Sequence, residues 1–134
     1  MLYLDTSAFM KIVVAEEHSA DLRSSLAGLD LWSSSLLAVE AHRSALRLGI
    51  SEGEIDLRLA AVTLIAPSET LYFAARRVGT ADLRTLDALH LSAALELAPD
   101  LDAVATYDRR LAVACAGQKI NVHAPGLTDR WWIS

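Results

Sequence analysis

Met1-Leu-Tyr-Leu-Asp-Thr-Ser-Ala-Phe-Met10 sets an apolar run, an acid and a second apolar run in immediate succession. Met1 to Asp5 alternates into its acid as a short strand, and the apolar-rich stretch from Ala8 to Ala15 follows directly as a helix. A strand handing straight to a helix is the opening of an α/β chain, and the rest of the sequence repeats it.

A second helix is predicted from about Ser19 to Leu26, ended by Gly28, before Leu31-Trp-Ser enters as a strand. Ser34 or Ser35 then caps a helix carrying Leu36, Leu37, Val39, Ala41, Leu46 and Leu48 and stopping at Gly49. Ser51 and Glu54 have capping-box spacing, so a helix runs through Leu57, Leu59 and Val62 to the strand Thr63-Leu-Ile-Ala, which Pro67 closes. Further helices are expected near Glu69 to Val78 and, after Gly79, from Leu83 to Ala98, with Pro99 as the stop. The strand Ala103-Val-Ala-Thr-Tyr, a helix from Arg109 to Ala116 and a strand at Ile120-Asn-Val complete the pattern. Such alternation predicts a three-layer α/β/α sandwich around a four- or five-stranded parallel sheet. Ligands bind these sheets beyond the carboxyl ends of the strands, where the strand order reverses, and Asp5 and Asp108 are expected at that edge.

With 134 residues, 53% of them hydrophobic, the chain suits one domain over its whole length, with 128–134 as a mobile tail. Its most apolar region, Leu86 to Leu97, is cut by Asp87, His90 and Glu96, and so cannot span a membrane. The first residues lack the charged start and apolar run of a secretory signal, which places the protein in the cytoplasm. Cys115, the single cysteine, sits among alanine and valine and is expected to be packing. A formal charge of −5 argues against coating nucleic acid through bulk electrostatics, so any polyanion must be met by local arginine or by a metal.

Four acids stand out. Asp5 and Asp108 each leave a strand and enter a helix, where capping alone explains them. Glu40 lies inside a helix, three residues after Leu37, which cannot cap; pairing with Arg43 or Ser44 is its ordinary explanation. Asp87 is flanked by Leu86, Ala88, Leu89 and Leu91 and resists a bland explanation most. Carboxylates without a His or Cys cluster suit a hard cation held through oxygen, Mg²⁺ or Mn²⁺ before Zn²⁺. Such an ion activates water and stabilises the leaving oxygen in phosphodiester hydrolysis. Ser7 and Thr106, together with Thr6, are placed to orient these carboxylates or bound water. Arg43, Arg47, Arg109 and Arg110 are candidates for substrate phosphates, with simple salt bridging as the alternative. His18, His42, His90 and His123 form no metal-binding pair on one element; His90, three residues after Asp87, is expected to be a satisfied core histidine.

The blocks Leu4-Asp-Thr-Ser-Ala8, Ser35-Leu-Leu-Ala-Val-Glu40, Leu83-Arg-Thr-Leu-Asp-Ala-Leu-His-Leu91 and Ala105-Thr-Tyr-Asp-Arg-Arg-Leu111 together resemble the PIN-domain family, most closely its VapC-type ribonuclease toxins. The resemblance spans nearly the whole chain and rests on the order and spacing of the blocks. It implies a Mg²⁺ site formed by Asp5, Glu40, Asp87 and Asp108, with the Thr106 hydroxyl in support. Asp5 and Asp87 are expected as direct ligands, and Glu40 and Asp108 as acting partly through water. It further implies an endoribonuclease toxin, transfer RNA being a common target, that forms a homodimer and is silenced by a VapB-type antitoxin. Phe9, Ile12, Val13 and Val14 exceed what one buried helix face needs, which is indirect support for that antitoxin. Trp131 and Trp132 lie beyond the last matched block.

Three other readings compete. A haloacid-dehalogenase-like phosphatase resembles Asp-x-Asp where this chain has Ser7, and a receiver domain needs paired early acids and a lysine that are missing. A degenerate fold that only binds RNA or antitoxin is the non-enzymatic alternative, and four complete acids count against it.

Overall fold

The computed structural model describes residues 1–133. Strands β1 (Leu2–Leu4), β2 (Leu31–Ser34), β3 (Thr63–Ile65), β4 (Ala103–Ala105) and β5 (Val122–His123) alternate with helices α1 (Thr6–Val13), α2 (Ser19–Leu26), α3 (Leu36–Leu48), α4 (Glu52–Leu59), α5 (Glu69–Ala75), α6 (Thr85–Glu96) and α7 (Arg109–Gly117). The five strands form one parallel sheet in the order β3-β2-β1-β4-β5. From β1 the chain moves outward to β2 and β3, then crosses back to β4 on the other side. The switch point therefore lies between β1 and β4, where Leu4 stands opposite Ala105.

Period-two alternation sends side chains to both layers. Leu2 and Leu4 of β1, with Ala103 and Ala105 of β4, pack under Phe9, Leu22, Leu37, Ala41 and Ile55 from α1 to α4. Tyr3 and Val104 face the opposite layer, built from Leu71 of α5, Leu89 and Leu91 of α6, and Leu111 and Cys115 of α7. Cys115 is fully buried, as its apolar setting predicts, and burial pushes its thiol up to about 12, out of reach of reaction at neutral pH. No helix among the described residues is long and apolar enough to cross a membrane.

Local signals place most helix starts. Ser51 and Ser68 each accept from the backbone N–H three residues on, at 3.2 and 3.1 Å. The reciprocal half of the capping box is absent, because Glu54 turns to Arg58 instead. Several boundaries differ from expectation: α1 spans Thr6–Val13 and not Ala8 to Ala15, α4 stops at Leu59 short of Val62, β4 stops at Ala105, β5 is Val122–His123, and two more shifts lie at α5 and α6. α5 ends at Ala75 instead of Val78, its last turn tightening through Arg76 N–H to Phe73 O and Arg77 N–H to Ala74 O. α6 starts at Thr85 instead of Leu83, because a turn closed by Leu83 N–H to Thr80 O leaves Arg84 extended. That shift puts Asp87 in the first turn of α6, where the helix dipole favours an acid.

Of the apolar residues expected to exceed one buried face, Phe9 is buried, Ile12 and Val13 are partly buried against the core, and Val14 is partly exposed. The exposed apolar residues lie elsewhere, including Val39 (62%) and Leu46 (72%) on α3 and Leu86 at the head of α6. Trp131 and Trp132 are half-buried in a short 3-10 turn; Ser134, the end of the expected tail, lies outside the described residues.

Candidate active site

Asp5 sits at the end of β1 and caps α1, accepting from Ala8 N–H at 2.9 Å. The capping explanation is correct, yet incomplete, because two further groups converge on the same carboxylate. Ser7 Oγ lies 2.7 Å from Oδ1 and 2.9 Å from Oδ2, and Thr106 Oγ1 donates to Oδ2 at 2.6 Å. Thr106 comes from just beyond β4, so the contact crosses the switch point. Its hydroxyl also accepts from Asp108 N–H at 3.0 Å, while Ser7 Oγ accepts from Tyr107 N–H at 2.9 Å. Asp108 in turn caps α7 through Leu111 N–H at 3.0 Å. One network thus links the two acid-bearing strand ends.

Asp5 is only 3% exposed, and burial raises its carboxyl above the ordinary range, opposed by hydrogen bonds from Thr106, Ala8 and Ser7. Those three donors supply three protons to a group with about four acceptor positions, which leaves roughly one lone pair for a ligand.

Glu40 reaches the site from the second turn of α3. Neither Arg43 nor Ser44 pairs with it; its Oε1 accepts from His90 Nε2 at 2.6 Å. His90 is 1% exposed and its Nδ1 meets the Tyr3 hydroxyl at 2.7 Å, so it is the satisfied core histidine that the sequence suggests. Of the remaining histidines, His42 pairs with Asp56, His123 with Ser25, and His18 stacks on Tyr107.

Asp87 is half-buried, and its carboxyl is pushed up to about 6 by burial and then by the charges of Asp108 and Asp5, with Glu40 adding to them. The dipole of α6 works in the other direction, so mutual repulsion and desolvation outweigh a favourable helix position.

These four acids line one hollow of about 760 Å³ with Thr6, Ser7, Arg43, Arg47, Arg84 and Leu86. Another hollow, beneath α5 and the turn before α6, carries none of the acids. Arg43 borders the acidic hollow, whereas Arg109 and Arg110 are exposed at the head of α7 and do not line it. The unpredicted member is Arg84. It precedes α6 without capping it, and nothing in its local sequence marks it.

Among the described residues, no three carboxylates, imidazoles or thiols form a ready-made coordination shell. An all-protein cage for Zn²⁺ or Ca²⁺ does not fit, but Mg²⁺ does. That ion keeps most of its water and takes one or two carboxylates plus substrate phosphate. The donors at hand are all oxygen, and three of the acids raise the pKa of the fourth, a repulsion that a cation relieves. The buried Thr6 hydroxyl, which has no hydrogen-bond partner among the described residues, borders the same space.

The chain is similar to several known proteins. The PIN domain family model matches residues 2–116. Ribonuclease VapC47 of Mycobacterium tuberculosis is 34% identical, covering 94% of this chain and 98% of its own. Ribonuclease VapC46 of the same organism is 36% identical, covering 92% and 97%. The crystal structure of Mycobacterium tuberculosis VapC20, described as a Sarcin-Ricin loop cleaving toxin, superposes with a TM-score of 0.68 at 14% identity, over 85% of this chain and 95% of that one. The sheet order, the acids at its switch point and relatives matched over nearly their full length lead to one assignment: the chain belongs to the PIN domain family, among its VapC ribonucleases.

Proposed function

We propose that this protein is a Mg²⁺-dependent endoribonuclease and the toxin of a toxin-antitoxin pair, acting in the cytoplasm. The observation that carries the reading is the gathering of Asp5, Glu40, Asp87 and Asp108, from four separate elements, around one hollow edged by arginine. Like charges brought together at such a cost to Asp87 serve no packing purpose. Asp5 and Asp87 would hold Mg²⁺, or Mn²⁺ in its place, directly, and Glu40 and Asp108 would act partly through water. The bound ion supplies an activated water and charge stabilisation at the scissile phosphate. Ser7 and Thr106 orient Asp5 by donating to it and oppose the upward pull of burial on its carboxyl.

Arg43, with Arg47 and Arg84 beside it, meets the RNA backbone at the hollow. Arg109 and Arg110 reach only RNA that extends past Asp108. The relatives named as ribonucleases support RNA as the substrate. A VapB-type antitoxin and a second copy of the chain are the proposed protein partners. The exposed apolar Val39 and Leu86 at the rim favour such contacts.

Purified protein should cleave RNA with Mg²⁺ or Mn²⁺, stop on addition of EDTA, and stop again in Asp5→Asn and Asp87→Asn. Folded protein that leaves a broad RNA panel intact under every metal would replace this reading with binding alone.

A further inference from the structure

We propose that His90 is a positioning residue for Glu40, set in place by the Tyr3 hydroxyl; this rests on the reading of Glu40 as part of the nuclease site. The geometry is a buried relay from sheet to hollow: Tyr3 Oη to His90 Nδ1 at 2.7 Å, then His90 Nε2 to Glu40 Oε1 at 2.6 Å. Each ring nitrogen engages one partner, the Tyr3 hydroxyl at Nδ1 and the Glu40 carboxylate at Nε2, so the imidazole bridges the two. Tyr3 is buried and crosses the imidazole edge-on at 5.7 Å between ring centroids, so the ring is held by contact as well as by its hydrogen bonds.

The consequence falls on Glu40. A glutamate side chain has several rotatable bonds and on an exposed helix face would wander among rotamers. Here Oε1 is anchored, and Oε2 accepts no hydrogen bond among the described residues, at the edge of the hollow that Glu40 lines. The relay also repeats the logic of the acids. Tyr3 and Asp5 are two apart on β1, and Asp87 and His90 three apart on α6, so each element carries one acid and the support for another. Partners of this kind, which orient a ligating carboxylate from behind, are typically worth about 10–100-fold in metal affinity or activity.

The test uses the full chain and reads Mn²⁺ binding by calorimetry beside RNA cleavage. His90→Leu, which keeps the volume and removes the donor, should weaken Mn²⁺ binding and slow cleavage by about tenfold. His90→Gln, whose amide N–H can still reach Glu40, should recover most of both, and Tyr3→Phe should fall between. In a Glu40→Gln background, His90→Leu should cost little more, because the group it positions has already been changed. Folded His90→Leu with wild-type Mn²⁺ affinity and cleavage would overturn the proposal, as would an equal loss with and without Glu40. If His90→Leu fails to fold, Tyr3→Phe still decides: its Mn²⁺ affinity should fall, and a folded Tyr3→Phe with wild-type affinity would overturn the proposal. Wild-type protein that binds no Mn²⁺ and cuts no RNA would instead remove the nuclease reading, and this inference with it.

Discussion

Thr106 Oγ1 donates to Asp5 Oδ2 at 2.6 Å across the seam between β1 and β4, joining residues 101 positions apart in the chain. The same oxygen accepts from Asp108 N–H, so one hydroxyl serves both strand-end acids. Thr106→Val keeps the shape and removes both bonds. Unfolding free energy should fall by about 1–3 kcal/mol, because a buried carboxylate and a backbone N–H each lose a partner. Cleavage should fall at least about tenfold. Urea denaturation alongside a cleavage assay checks both, with Thr106→Ser restoring them; a fully active Thr106→Val would show that the hydroxyl does not orient Asp5.

Asp5 and Asp108 are both helix caps, yet their asparagine variants should behave differently. Asparagine caps as well as aspartate does, and the hydrogen bond that the Asp108 side chain accepts comes from Leu111 N–H. Asp108→Asn should therefore leave stability within about 0.5 kcal/mol while reducing cleavage. At Asp5 a single amide oxygen must replace two carboxylate oxygens that receive Ala8, Ser7 and Thr106. Asp5→Asn should lose both cleavage and about 1–3 kcal/mol of stability, since a donor is left facing an NH₂ group. Equal denaturation midpoints for the two variants would contradict this account.

What the sequence disclosed follows the range of the interactions involved. Caps at Asp5, Ser51 and Asp108 act within three residues, and the strand-helix alternation is local, so sheet and helices could be read directly. Thr106 could be paired with Asp108 by spacing, but its bond to Asp5 depends on β1 and β4 being neighbours. Glu40 was the least legible acid: its partner His90 lies 50 residues away on another helix, where no periodicity connects them. The helix start near Asp87 was placed two residues early, because the turn closed by Leu83 and Thr80 delays α6 to Thr85 and brings this acid into its first turn. Arg109 and Arg110 adjoin Asp108 in sequence, but the direction in which α7 leaves its cap decides that they stay outside the hollow.

That placement separates two classes of arginine. Arg43→Ala, Arg47→Ala and Arg84→Ala should each weaken binding of every RNA tested and lower the salt dependence of binding, because each removes from the lining of the hollow a guanidinium proposed to meet phosphate. Arg109→Ala and Arg110→Ala should spare a short oligonucleotide confined to the hollow and weaken only longer RNA. Binding of short and long substrates across a salt series, using a cleavage-dead Asp87→Asn background, distinguishes the two. Arg109→Ala that weakens the short substrate as much as Arg43→Ala would place α7 inside the primary contact.

Folding raises the Asp87 carboxyl from an ordinary 3.8 to about 6, first through burial and then through the charges of Asp108 and Asp5. Below the unfolded value both states hold the proton, and the site costs nothing. As pH climbs from 3.8 to about 6 the unfolded chain releases its proton first, so stability falls across that window and the full penalty persists above it. Metal-free Asp87→Asn should therefore melt above wild type at neutral pH, with the margin shrinking as pH drops through the window and vanishing below it. A bound cation reverses the relation for wild type. It requires the ionised carboxylate, so binding displaces a proton and Mg²⁺ affinity declines as pH falls below about 6. Melting curves in EDTA and in Mg²⁺ over a pH series check both halves, and a margin for Asp87→Asn that does not change with pH would mean that Asp87 does not titrate in this range.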